Sequence, residues 1–149
     1  MPINTTSGAA SIGRDVQFVV QHPLAPGGAI TISNPTGFDA KAMQAGIESK
    51  RLGLPPIFAE VPNGWSGTIE FDRADSGPDD LANLSEATFW AGGQLYNGDI
   101  FQYITEVDGS TTSYHYMGCA LKFDELGRYS ADAVVKQRIS FKASQRVNI

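Results

Sequence analysis

The chain contains a single cysteine, Cys119, so no internal disulfide can form. The thiol reads as a small buried hydrophobe or as the mark of a reducing compartment. Histidine is almost as scarce. His22 and His115 are the only two, and neither has a second histidine three to five residues away, the spacing that a compact zinc site often uses. Long hydrophobic runs are absent as well. Stretches such as Phe18 to Val20 fall far short of the roughly 20 apolar residues that span a bilayer, so no membrane insertion is expected. Met1 to Arg14 is rich in Thr, Ser, Gly and Ala but lacks a basic leader and a continuous apolar segment. It is expected to be a flexible arm over residues 1–13 and not a secretory signal.

Basic residues are missing from the middle of the chain. From Glu60 to Asp108 there are ten acids and one base, Arg73, whereas Ala133 to Ile149 carries Lys136, Arg138, Lys142 and Arg146 and no acid. Each set is either a solvated face or one of two complementary surfaces that steer copies of the protein onto each other. The overall net charge of -5 and a pI near 4.8 argue against gripping nucleic acid by attraction.

What is present fits one folded domain. A length of 149 residues encloses a single core over 1–149 and leaves little room for a second. With 42% apolar and 18% charged residues, the composition is that of a globular chain and not a disordered one. The glycines and prolines fall between apolar stretches, which suits many short strands joined by turns. The expected fold class is mainly β with one α-helix.

Val16, Phe18 and Val20 alternate with Gln17 and Gln21, which predicts a half-buried strand over Arg14 to Gln21 that ends at His22-Pro23. Ile30 and Ile32 predict a second strand within Gly28 to Ser33, and Asn34-Pro35-Thr36-Gly37 reads as a turn. Phe38 to Leu54 suits a helix through Ala40, Met43 and Ile47, or a strand through Phe38, Ala40 and Ala42; the strand is preferred. Lys50, Arg51, Gly53 and Pro55-Pro56 mark an exposed loop at its end. Pro62-Asn63-Gly64 reads as a further turn that leads into Trp65 to Arg73. There Trp65, Gly67, Ile69 and Phe71 share one face, and Ser66, Thr68, Glu70 and Asp72 the other.

Asp75-Ser76-Gly77-Pro78 signals a helix start, with Ser76 as the cap and Asp79 and Asp80 in the first turn, where the helix dipole favours negative charge. Leu81, Leu84, Thr88 and Phe89 recur at helical spacing, and Gly92-Gly93 stops the element. Asp108-Gly109-Ser110 predicts a hairpin between Asp99–Val107 and Thr111–Leu121, because Asp-Gly tolerates the positive φ angles of a tight turn. Ala133 to Val147 closes the chain as a long, half-basic strand.

Motifs of chemistry fail on spacing. The acids from Asp72 to Asp80 lack the pattern of a calcium loop. Gly64-Trp65-Ser66-Gly67 would need a glycine at position 68 to make a nucleophile elbow, and Thr68 stands there. No glycine-rich phosphate loop with a lysine follows a strand. No catalytic residue, metal ligand or cofactor is expected. The aromatics Trp65, Trp90, Tyr96, Tyr103, Tyr114 and Tyr116 could stack on sugars or bases, but such residues more often pack cores and interfaces.

Four features taken in order resemble phage tail tube proteins of contractile tails and, more distantly, the type VI secretion tube protein. They are Asn63 to Arg73 (NGWSGTIEFDR), the helix ending Phe89-Trp90, the hairpin through Asp108-Gly109-Ser110 with Tyr114 and Tyr116, and the closing Gln137-Arg138-Ile139-Ser140-Phe141. They span about Phe18 to Val147, and none is diagnostic alone. The resemblance implies a β-sandwich or barrel of the tail-tube type with a flanking helix. It implies further that copies close into hexameric rings, that the rings stack into a hollow tube, and that the tube conducts DNA into the host. It also implies an extended inter-ring loop, for which residues 38–62 are the candidate, and an N-terminal arm over 1–13.

The implied partners are further copies of the chain, tail sheath and tail-end proteins, and genomic DNA that passes through the lumen without sequence-specific binding. The implied location is the virion tail, made in the host cytoplasm. The candidate subunit contacts are Lys136, Arg138, Lys142, Arg146, Lys50 and Arg51 on the basic side, with Glu70 and Asp72 on the acidic side. Two other readings compete. One is a β-sandwich binding module, for carbohydrate or another ligand, that uses Trp65 or Trp90 as an exposed platform. The other is an enzyme built on carboxylates such as Glu70 and Asp72, for which no acid–base pair can be identified.

Overall fold

The structure, a computed structural model, describes residues 3–5, 8–10, 16–32 and 35–149. Within the expected arm, β1 (Ile3–Thr5) and β2 (Gly8–Ala10) pair antiparallel in a two-stranded ribbon of their own. The rest of 1–13 lies outside the described residues, as do Arg14 and Asp15 of the expected first strand and Ser33 and Asn34 of the expected strand and turn.

The remaining strands are β3 (Val16–Gln21), β4 (Ala29–Thr31), β5 (Pro35–Ser49), β6 (Ile57–Asp72), β7 (Gly98–Thr105), β8 (Thr111–Glu125), β9 (Lys136–Ala143) and β10 (Gln145–Asn148). One helix, α1 (Gly77–Trp90), lies between β6 and β7. The strand order is β4-β3-β7-β8-β9-β6-β5, with β10 also on β8, and every pairing is antiparallel.

This sheet folds back on itself. Phe18 on β3 and Phe38 on β5 sit near opposite ends of the strand order, yet their ring centroids are 5.2 Å apart. Phe38 also lies 5.8 Å from Phe141 on β9 and 6.1 Å from Tyr116 on β8. The two halves of the sheet therefore face each other across a shared aromatic core, as in a sandwich whose corner strands serve both layers.

The corner is legible in the spacing of inward residues. On β8, Tyr116 and Cys119 both point inward although three residues apart, and on the closing strands Ala143 and Arg146 do the same. Period two forbids this unless one residue is extra. The extra residues are a bulge in β8 opposite Gly98–Ile100, where Gly118 adopts φ 62°, and Ser144 between β9 and β10. The two breaks touch, since Ser144 donates to the Met117 carbonyl from its backbone N–H and its Oγ, both at 2.9 Å. Beyond the corner, β8 leaves β7 and β10 and pairs with β9 alone from Ala120 to Glu125.

Ile69, Phe71, Ile100, Ile139 and Phe141 fill the core, each worth about 1.5–3 kcal/mol in burial. Gly67 is required between them, because a Cβ there would lie 1.9 Å from the Asp39 carbonyl oxygen and 2.8 Å from the Phe141 ring. The neighbouring backbone occupies the space of a side chain.

Three local expectations change. Pro35 to Gly37 is no turn but the start of β5, with a register shift between Pro35 and Gly37; proline is tolerated at a strand's first residue. Pro62-Asn63-Gly64 is no turn either. β6 runs through it, and Asn63 and Gly64 together oppose Met43 as a bulge, with Gly64 at φ 90°. At the helix start it is Asp75 and not Ser76 that accepts from the backbone, taking the Gly77 N–H at 3.0 Å, while Ser76 Oγ donates to Asp80. The hairpin over Asp108 forms as expected, with the Asp108 carboxylate accepting the Ser110 N–H at 2.9 Å.

Helix α1 is anchored by its first turns. Pro78 and Leu81 are buried, and the Asp79 carboxylate accepts from Arg73 Nε at 2.9 Å and from buried Gln137 Nε2 at 2.7 Å. Gln137 also donates to the Leu126 carbonyl. Leu84 and Phe89, which share the helical spacing of Leu81, remain exposed.

Candidate assembly interface

Among the described residues β6 pairs with β9 only from Trp65 to Asp72, so beyond the bulge at Met43 and Gly64 the β5–β6 hairpin has no third strand there. It projects as a two-stranded arm of about 20–25 Å, taking 3.3 Å per residue. Every residue from Gln44 to Asn63 is exposed. Directly opposed residues share a face, and the register puts Ala45 opposite Val61, Ile47 opposite Ala59 and Ser49 opposite Ile57. One face of the arm is thus apolar. The other carries Gln44, Glu48 and Glu60 around Phe58, which is 70% exposed. At the tip, Leu52 is fully exposed beside Lys50 and Arg51, and Arg51 donates to the Pro55 carbonyl at 3.0 Å to close the turn.

A second apolar surface lies beside α1. Leu84, Phe89, Trp90, Leu95 and Tyr96 are exposed, and Trp90 is 76% exposed with Phe89 against it edge-on at 5.1 Å. Between the helix, the loop before β7 and β8 opens a cleft of about 440 Å³. Its loop is held by His22, whose Nε2 faces the Tyr96 carbonyl at 3.2 Å while its Nδ1 accepts the Leu24 N–H at 3.1 Å. Both bonds suit a neutral ring. Burial pushes the His22 pKa down, against a smaller upward pull from the Tyr96 carbonyl.

The charged candidates fall in three places. Lys50 and Arg51 stand at the arm's tip, with Lys50 Nζ 3.8 Å from Glu48. Glu70 lies opposite Arg138 in the β6–β9 ladder and Asp72 opposite Lys136, so these acids and bases are neighbours within one chain. Arg138 also meets Asp124 and Glu125, each at 3.8 Å. Asp124 accepts from Ser140 Oγ, and that bond, helped by Lys122 and Arg138, holds its carboxyl below the usual range. Lys136 and Lys142 are exposed.

Arg146 has turned inward. Its guanidinium lies 4.0 Å from the centre of the Trp65 ring and 4.3 Å from that of Tyr114, a cation–π stack at the sandwich corner. Trp65 is therefore covered by Arg146 and offers no open platform, whereas Trp90 does. Among the described residues no group of three or more His, Cys, Asp or Glu could hold a metal ion, and no helix is long and apolar enough to cross a membrane.

The apolar face of the arm is the feature that sequence reading missed. Its signal was present in the alternation of Ala45 and Ile47 and of Ile57, Ala59 and Val61 on either side of the Lys50 to Pro56 turn.

No protein-family model matches the chain, and no curated protein matches it. Solved structures do match in fold. The chain is similar to the SPP1 tail tube determined by solid-state NMR and cryo-EM, with a TM-score of 0.58, 13% identity, and coverage of 93% of this chain and 78% of that one. It is similar over 99% of its length to a chain covered to 97% in the six-fold symmetrised cryo-EM structure of the anti-feeding prophage baseplate, with a TM-score of 0.57 and 8% identity. A third likeness is to the PVC sheath–tube complex of an extracellular contractile injection system, in its extended state. There the TM-score is 0.55, the identity 12%, and the coverage 89% and 88%. The mainly β architecture with one helix is thus a fold of the tail-tube type.

Proposed function

We propose that this chain is a structural, self-assembling tail-tube protein and not an enzyme. Its copies close into hexameric rings, and the rings stack into a hollow tube. The observation that carries the reading is the projecting arm. A two-stranded ribbon is at best marginally stable alone in water, so an apolar face formed by Ala45, Ile47, Ile57, Ala59 and Val61 has no use to an isolated subunit. Exposed apolar surface of this kind marks a protein contact. Residues 38–62 then divide into a base that belongs to the sandwich and an arm that reaches the next ring. Head-to-tail contact of one surface with a different one propagates without closing, as a stacked tube requires.

The fold likeness to a phage tail tube and to a sheath–tube complex supports the same reading. In that setting the partners are further copies, a surrounding sheath and tail-end proteins, and the location is a virion tail made in the host cytoplasm. DNA passes through the lumen without being held. A net charge of -5 repels phosphate, and several of the cations are already committed, Arg73 to Asp79, Arg138 to Asp124 and Glu125, and Arg146 to Trp65 and Tyr114.

Negative-stain electron microscopy of the purified chain over a range of concentrations tests this. Rings or hollow tubes of uniform diameter are expected. A monodisperse monomer at every concentration counts against the proposal and moves attention to a ligand at Trp90.

A further inference from the structure

The arm and the helix cleft differ in charge as well as in position. The arm's tip carries Lys50 and Arg51 around exposed Leu52 and Leu54. The stretch from Gly77 to Asp108 contains no lysine or arginine, and Glu86 lines the cleft. The cleft has an apolar side beside the polar groups of Ser85, Glu86 and Gln94. Leu24, Leu121, Phe123 and Leu126 meet Phe89 and Leu95 around it, and Leu95 is 79% exposed.

The two surfaces also leave β6 in different directions along the chain. The arm leaves β6 before Trp65, whereas α1 follows β6 after Asp72. Leu126 comes just after Glu125, which is in register with Arg138 and through it with Glu70, at the end of β6 remote from the arm. The cleft runs along β8 from Leu121, in register through Phe141 with Gly67, to Leu126, so its far wall lies at the end of β6 away from the arm.

We infer that the arm's tip, Lys50 to Leu54, seats in the α1–β8 cleft of a second copy, with Leu52 inside it and Lys50 and Arg51 against Glu86. The inference rests on the tube reading and adds to it the site where one ring receives the next. An apolar anchor in a pocket ringed by charge is the usual anatomy of an interface hot spot. Opposite charges at the rim set register and speed encounter.

Two measurements test it on the full chain. In the first, the tip is reversed (Lys50→Glu with Arg51→Glu), the cleft is reversed (Glu86→Lys), and the two are combined; the critical concentration for assembly is read by sedimentation and electron microscopy. Each reversal alone should raise it by about tenfold or more, and the combination should restore most of the loss. In the second, Leu52→Cys and Leu95→Cys are placed in one chain. Mild oxidation should give a ladder of cross-linked copies, because the native Cys119 thiol is buried and does not compete.

Tubes that form with no rescue by the combined reversal and no cross-link would overturn the docking site and leave the tube reading standing. A cross-linked ladder without rings or tubes would keep the docking and sink the tube. A wild-type chain that does not assemble, together with a Leu52→Cys/Leu95→Cys chain that does not cross-link at any concentration, would overturn both.

Discussion

β5 and β6 form one continuous hairpin with two different halves. In the base, Phe38 stands opposite Ile69 and Ala42 opposite Trp65, and Ile69 is 0% exposed beneath the other layer of the sandwich. In the arm, Ile47 stands opposite Ala59 and Ser49 opposite Ile57, yet Ile47 is 54% exposed. The ladder is the same in both halves, so pairing does not explain the apolar residues of the arm. The base is stabilised by what covers it. The arm shows the same chemistry with the cover missing, and the bulge at Met43 and Gly64 separates the two.

The bulge also re-aims the arm. β5 carries no extra residue there, so the face of Phe38, Ala40 and Ala42 continues by alternation into Gln44, Gly46 and Glu48. Ala45 and Ile47 lie on the opposite face. The apolar side of the arm thus turns away from the side that the base gives to its own core, as the proposed contact with another copy requires.

The sharpest way to break the comparison is to disturb the base. Gly67→Ala places a Cβ against the Asp39 carbonyl and the Phe141 ring, so β5 and β6 must separate where both are covered. A loss on the order of 3 kcal/mol or more is expected in urea unfolding of the monomer. An unchanged midpoint would mean that the two strands part freely in the base, as they could in the arm.

The buried layer has a second reporter in Cys119. Burial pushes its thiol pKa up to about 12 from an ordinary value near 9. Below pH 9 both folded and unfolded chains keep the proton, and nothing depends on it. Above pH 9 the unfolded chain ionises while the folded one does not, so the unfolded state gains and stability falls as pH rises toward 12. Cys119→Ala should flatten this alkaline limb in a series of melts. Iodoacetamide at pH 8 should label the native chain only as fast as it opens.

A smaller effect is expected at the boundary between base and corner. Arg146→Ala removes the guanidinium from between Trp65 and Tyr114, a loss of ~0.5–2 kcal/mol in thermal unfolding, and it should raise the solvent exposure of Trp65 seen in fluorescence. If stability and fluorescence both stay put, the stack is a surface contact and Trp65 is held by the core alone.

Local signals in the sequence carried these features to different depths. The Asp108-Gly109 hairpin, the alternation from Trp65 to Asp72 and the start of α1 are specified within a few residues, and they appear where expected. Bulges are not so specified. Ala40, Met43 and Ile47 suited a helix as well as Phe38, Ala40 and Ala42 suited a strand, because the apolar positions of β5 change face between base and arm, and Asn63-Gly64 resembled a turn because the extra residue of the bulge sits there. Charge partners were invisible too. Glu70 and Arg138 are far apart in sequence, and only the β6–β9 register makes them neighbours.

The smallest effect on the monomer is expected at the tip. Leu52→Asp replaces a fully exposed side chain that touches no core residue, and its unfolding free energy should stay within ~0.5 kcal/mol of the parent. Assembly should nevertheless fall, since the same residue is the anchor of the proposed contact. The pairing of an unchanged melt with lost tubes is what separates the arm from the base, where any damage to assembly comes with damage to the fold. If Leu52→Asp lowers the melting temperature of the isolated monomer as far as Gly67→Ala does, the arm packs on its own body and the distinction between the two halves fails.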